Sequence, residues 1–195
     1  MLKTAIIGVS GYGNVHFTNL LRGQQSGRVE ISAATIINQE EEAEKSKILS
    51  DLGCKIYCDY QKMLADFAGK LDLGCIPTGI SQHAPMANAA MLAGANALIE
   101  KPAAATLQQV DSMQKMEIQS GKRVFVGFQH IYQDITLKAK EYLVAGKLGR
   151  LLEAKGICLW ARTKVIIVEI AGLDDSAGMA NGFLTVRLIT QLLIF

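Results

Sequence analysis

No uninterrupted apolar run in this chain approaches the ~18–20 residues that span a bilayer, so nothing in it reads as a transmembrane helix. The opening "MLKTAIIGVSG" has one Lys and a short apolar run broken by glycines. It lacks the longer apolar core and small-residue cleavage site of a signal peptide. An excess of one charge is missing too. The formal net charge is only +2, with basic residues scattered among acidic ones, which argues against nucleic acid or a membrane surface as partner. Cysteines number 4, at positions 54, 58, 75 and 158, and no two have C-x-x-C spacing. They read as reduced thiols packed on apolar elements, with no metal site and no disulfide, and a cytoplasmic location is the expectation. Neither an internal repeat nor a low-complexity linker breaks the pattern.

What is present is alternation. A chain of 195 residues, 50% hydrophobic and 19% charged, has the balance of a globular protein and room for one domain plus part of another. The stretches "KTAIIGV", "VEISAATII", "CKIYC", "LDLGCIP", "NALIE" and "RVFVGF" read as strands. Between them "NVHFTNLLRGQ", "EEEAEKSKILSDLG", "YQKMLADF", "SQHAPMANAAMLAG" and "TLQQVDSMQKMEIQSG" carry helical spacing, the fourth with a Ser cap and several with a Gly stop. This rhythm predicts an α/β fold, a doubly wound parallel sheet with helices on both faces. After Phe128 the texture changes: "DITLKAKEYLVAGKLG" is one amphipathic helix and "RLLEAKGICLW" opens a second sheet. The expected division is a dinucleotide-binding domain over 1–122, the start of a truncated α/β domain over 123–165, and a tail over 166–195.

The first strand runs into "GVSGYGNVH". A dinucleotide fold wants G-x-G-x-x-G here, for a tight turn, close backbone approach to a pyrophosphate, and tight helix packing. Gly8, Ser10 and Gly13 hold those positions, with Gly11 and Tyr12 between. A helix starting near Asn14 is expected to aim its first amides at the phosphate, and the Ser10 hydroxyl could meet a phosphate oxygen. Asn38, in "TIINQEEE", is the candidate for the adenosine ribose. It is neutral where an acid usually selects NAD, and no Arg or Lys follows to draw a 2′-phosphate, so NAD and NADP both stay open.

The stretch "CIPTGISQHAPMANAAMLAGANALIEKPAAAT" carries Pro77-Thr78, then His83, an Ala-rich helix ending Ala93-Gly94, and a strand ending Glu100-Lys101-Pro102. With "VGFQHIYQDITLKAKEYLVAGKLGRL" further on, residues 1 to about 165 resemble the Gfo/Idh/MocA oxidoreductases. The resemblance implies a Rossmann domain and hydride transfer between NAD or NADP and a sugar- or cyclitol-like alcohol. It implies Lys101 as the catalytic residue beside nicotinamide and substrate hydroxyl, with Glu100 holding that Lys and bordering the nicotinamide ribose. Pro77, Thr78, His83 and Gln129 would border the cofactor. His130 stands where the family often has Arg, and His16 reads as a packing or surface residue. The alternative is a nucleotide-binding module without catalysis.

Full-length members of that family continue with a catalytic domain, which "LWARTKV" begins and the tail does not resume. Reading from the last base of the Val165 codon, codon choices for "VIIVEIAGL" exist that give YYSRNSWA. The same offset on "MANGFLTVRLITQLLIF" permits G-x-W-V-F-D-S-P-A-N-N-A-I-A-H-F. Residues 166–195 therefore read as an out-of-frame translation after one lost base, with an impaired chain as the consequence. An apolar tail of this kind would also promote homo-oligomers or aggregation through an exposed edge.

Overall fold

Side chains two apart on a strand share a face, and on β1 (Leu2–Ile7) this splits the core in two. Ala5 and Ile7 point into one apolar cluster, and Ile6 points into the other. The computed structural model describes residues 1–153. It divides them into a unit ending at Gln133 and one beginning at Asp134.

In the first unit β1 is followed by α1 (Gly13–Gln25), β2 (Val29–Thr35), α2 (Ala43–Asp51), β3 (Lys55–Tyr57), α3 (Tyr60–Asp66) and β4 (Leu73–Ile76). Then come α4 (Ile80–Leu92), β5 (Asn96–Ile99), α5 (Leu107–Ser120), β6 (Val124–Val126) and a 3-10 turn over Gln129–Tyr132. All strands are parallel, in the order β3-β2-β1-β4-β5-β6. Phe17 of α1 and Leu49 of α2 pack with Ile6 and Cys75 on one face. Met63 of α3, Ala87 and Ala90 of α4 and Met113 of α5 pack with Ala5, Ile76 and Ile99 on the other. This is the doubly wound Rossmann arrangement that the sequence rhythm predicts. Strand order reverses between β1 and β4, and such folds bind ligands in the crevice at the carboxyl ends of those two strands.

Three expectations need correction. The helical pattern at the glutamates begins only at Ala43, because Glu40–Glu42 turn first, the Glu42 N–H donating to the Asn38 carbonyl at 3.1 Å. Ser81 is not a cap. Gly79 takes that position without a side-chain bond, and Ser81 sits inside the first turn. Nor does the domain end at residue 122. β6 pairs along β5, Ile99 opposite Val126, and the Ala97 N–H donates to the Arg123 carbonyl, so Val124–Val126 complete the sheet and the unit runs on to Gln133.

The second unit contributes α6 (Asp134–Val144), where Lys138 pairs with Glu141 at 3.1 Å and the Lys147 ammonium lies 4.4 Å from the Tyr142 ring centre. Among the described residues no helix is long and apolar enough to cross a membrane. Cys158 and the tail over 166–195 lie outside them. Of the other thiols Cys54 and Cys75 are core residues, whereas Cys58 is exposed, against the expectation of packing.

Thr106 caps α5: its Oγ1 accepts from the Gln109 N–H at 3.3 Å, and Gln109 Oε1 accepts from the Ala105 N–H at 3.0 Å. Thr106→Ala should lower stability by about 1 kcal/mol, read as a lower urea midpoint at unchanged slope. No change in the midpoint would mean that the cap is dispensable.

Candidate functional site

The site begins where β1 stops. Gly8 has φ +90° and Gly11 has φ +52°, conformations that side chains rarely adopt, and between them the chain turns back into α1. Gly13 has an ordinary φ but no room: a Cβ there would lie 2.8 Å from the Gly8 carbonyl oxygen. Helix and strand approach this closely only because Gly13 is bare.

The N–H groups of Gly13, Asn14 and Val15 donate to the carbonyls of Ser10, Gly11 and Tyr12 at 2.8, 3.1 and 3.0 Å. The first-turn amides of α1 are thus used internally, contrary to expectation. Among the described residues the N–H groups of Gly11 and Tyr12 have no protein acceptor. Two unpaired donors in a glycine-rich turn suit a pyrophosphate. The residues present therefore fit a dinucleotide.

On one side of this loop a cleft of about 660 Å³ is bounded by Gly8, Ser10, Asn38, Asp59, Pro77 and Thr78. The Ser10 hydroxyl faces Asn38 rather than standing free, accepting from Asn38 Nδ2 at 3.1 Å. The same amide nitrogen donates to Glu41 Oε2 at 2.9 Å. A lysine does follow Asn38: Lys45 Nζ donates to the Val9 carbonyl at 2.9 Å and pairs with Glu42 at 2.7 Å. Hydrogen bonds from Lys45 and then Ser10 hold the Glu42 carboxyl below its ordinary value.

On the other side lies the Glu100-Lys101 turn at the end of β5. Glu100 is 8% exposed. Its Oε1 lies 2.8 Å from His16 Nε2 of α1, and its Oε2 accepts from the Lys101 backbone N–H at 3.2 Å. Glu100 therefore holds Lys101 by its backbone, leaving the Lys101 side chain exposed. His16 Nδ1 lies 3.1 Å from Cys75 Sγ. Burial first, and the Glu100 charge second, push the Cys75 thiol up to about 12 and raise the Tyr12 phenol, whose ring stands edge-on to His16. The carboxylate has room because residue 127 is glycine; a Cβ there would lie 2.6 Å from Glu100 Oε1.

His83, expected beside the cofactor, is buried among backbone carbonyls. It is 1% exposed, its Nδ1 at 3.0 Å from the Pro102 carbonyl and its Nε2 at 3.0 Å from the Thr78 carbonyl. It ties the Pro77-Thr78 turn to the Lys101-Pro102 turn from within. Thr78 in turn leans on the glycine loop, 3.7 Å from the point where a Gly8 Cβ would be. Gln129 is exposed in the 3-10 turn after Gly127, with His130 beside it. His16 and Gly127 are the two site residues that sequence reading missed. For His16 a signal existed: three residues after Gly13, it shares the helix face that packs on the sheet.

The Gfo/Idh/MocA profile, described as an oxidoreductase family with an NAD-binding Rossmann fold, matches residues 2–128. Inositol 2-dehydrogenase of Pseudomonas savastanoi pv. phaseolicola is 30% identical over 152 residues, 76% of this chain and 43% of that protein. Among solved structures, an NAD binding oxidoreductase from Klebsiella pneumoniae superposes with a TM-score of 0.65 at 25% identity, covering 76% of this chain and 40% of that one. Myo-inositol 2-dehydrogenase from Lactobacillus plantarum gives 0.64 at 27% identity, over 77% and 43%. The chain thus spans less than half the length of these relatives.

A side chain at Gly13 must push α1 off the Gly8 carbonyl, 2.8 Å from the new Cβ, and so open the cradle. Gly13→Val should weaken NADH binding more than about tenfold, since forced overpacking costs on the order of 1–3 kcal/mol. Unchanged affinity in a fluorescence titration would remove the dinucleotide assignment.

Proposed function

The chain belongs to the Gfo/Idh/MocA family of NAD-binding Rossmann-fold oxidoreductases, and from that premise we propose that it carries the cofactor half of an enzyme oxidising or reducing a cyclitol- or sugar-like alcohol. One observation carries the reading: the glycine cradle and the Lys101 turn share one edge of the sheet and are joined by the 2.8 Å contact of His16 with Glu100. Gly11 and Tyr12 would hold the pyrophosphate by their amides, and Asn38 the adenosine ribose. A bound nicotinamide would supply hydride exchange with the carbinol carbon. Lys101 would supply a positive charge that favours the alkoxide left when the hydroxyl proton passes to a base. The inositol dehydrogenases among the relatives support the substrate class.

The cofactor preference is NAD. Glu41 and Glu42 crowd the Asn38 end of the cleft, and the nearby cation, Lys45, is bound to the Val9 carbonyl and to Glu42. A 2′-phosphate there would meet two carboxylates without a free partner.

Substrate walls and a partner acid or base belong, by the family resemblance, to the catalytic domain that 166–195 would replace. Orientation by such walls is worth roughly 7–11 kcal/mol in favourable cases. The chain as written should therefore bind NADH yet turn over polyols at little above background. The coding DNA tests the frame-shift reading directly. Ordinary turnover of myo-inositol by the 195-residue chain would sink it; a chain with the frame restored after Val165 should gain activity that Lys101→Ala removes. A restored chain that binds NADH but oxidises no polyol would instead favour the non-catalytic module.

NADH should bind at least about tenfold more tightly than NADPH, equivalent to roughly 1.4 kcal/mol of charge repulsion. Glu42→Gln, by freeing Lys45, should narrow that ratio. Equal affinities in the unaltered chain would overturn the NAD preference.

A further inference from the structure

His16 lies just past the glycine motif, and its contact with Glu100 joins that motif to the Glu-Lys-Pro turn. Cys75 Sγ lies 3.1 Å from His16 Nδ1. A carboxylate oxygen only accepts, so His16 Nε2–H donates to Glu100 Oε1 at 2.8 Å. Glu100 Oε2 accepts from the Lys101 N–H at 3.2 Å. A single hydrogen-bonded path thus runs from β4 through the first turn of α1 to the backbone of Lys101.

Two facts argue that this path does more than hold the fold together. A buried charged group is a costly way to gain stability, because apolar side chains of similar volume often serve as well. Yet room is kept for this one, since residue 127 lacks the Cβ that would lie 2.6 Å from Glu100 Oε1. The carboxylate is also aimed. One oxygen faces the helix under the pyrophosphate cradle, and the other faces the amide of the residue that carries the reactive lysine.

We propose that His16 is a positioning residue that, through Glu100, holds the Lys101 turn in register with the N-terminus of α1, so that a dinucleotide seated on the glycine loop meets that turn with its nicotinamide half placed. The proposal rests on reading the cleft as a dinucleotide site. It predicts that the pair acts on one half of the ligand only.

The test compares NADH with ADP-ribose, which keeps the pyrophosphate and lacks the nicotinamide, on the full 195-residue chain. His16→Leu removes the donor at similar size in a residue suited to helices. Gly127→Ala leaves His16 intact and displaces the carboxylate. Each should weaken NADH by about tenfold, the scale of one hydrogen bond to a charged group. ADP-ribose affinity should stay within about twofold, the usual spread for sites that do not interact. The double variant should be no weaker than either single one, because both act through the same carboxylate. Equal weakening of the two ligands, no weakening of either, or additive losses in the double variant would overturn the positioning role. An unaltered chain that binds neither ligand would overturn the dinucleotide reading itself.

Discussion

A carboxylate that is 8% exposed must find hydrogen-bond donors or give up its charge, and Glu100 finds them on both oxygens. His16 comes from α1, the Lys101 amide from the end of β5, and the space from Gly127 just past β6. These three segments meet at one edge of the sheet only because β1, β4, β5 and β6 are neighbours in that order. Displace any of them and the buried charge loses a partner or gains a clash. The carboxylate thus converts a loose requirement, that helices cover a sheet, into a specific one about which residues stand beside which.

The glycine loop imposes the complementary constraint, set by close contact and not by charge. Gly13 sits on the Gly8 carbonyl, and the Pro77-Thr78 turn closes over both. His83 fixes that turn to the Lys101-Pro102 turn through two backbone carbonyls. The result is a framework in which Gly8, Thr78 and Lys101 are linked through protein contacts before any ligand arrives. Such preorganisation lowers the ordering cost that binding must otherwise meet.

Strand and helix order was legible because period-2 and period-3.6 patterns are local, and the alternation of Ala5, Ile6 and Ile7 between two clusters follows from it. The glycine loop and the Glu-Lys turn were legible as motifs. What joins them was not. His16 and Glu100 lie 84 residues apart and meet through a strand order that no local window contains. Gly127 lies within "RVFVGF", and nothing near it in sequence needs the space. The strand itself was legible, but β6 has only three residues, with Phe125 47% exposed, and an edge this short marks no clear boundary. Ser81 shows the same limit: residue type suggested a cap, and the chain places Gly79 there instead.

The two ends of the crevice handle charge in opposite ways. At the Asn38 end the lysine is consumed: Lys45 is bound to the Val9 carbonyl and Glu42, so it braces the glycine loop and has little field left to offer. At the other end the acid is consumed. Glu100 is turned inward to His16 and a backbone amide, so its charge is spent within the protein, and the exposed Lys101 ammonium has no salt-bridge partner among the described residues. Had Glu100 paired with that ammonium, the cation would be neutralised at the crevice edge. Pairing it with a helix histidine instead holds the lysine's backbone amide and leaves its charge uncompensated, so that support for the turn and the charge on its surface come from different groups.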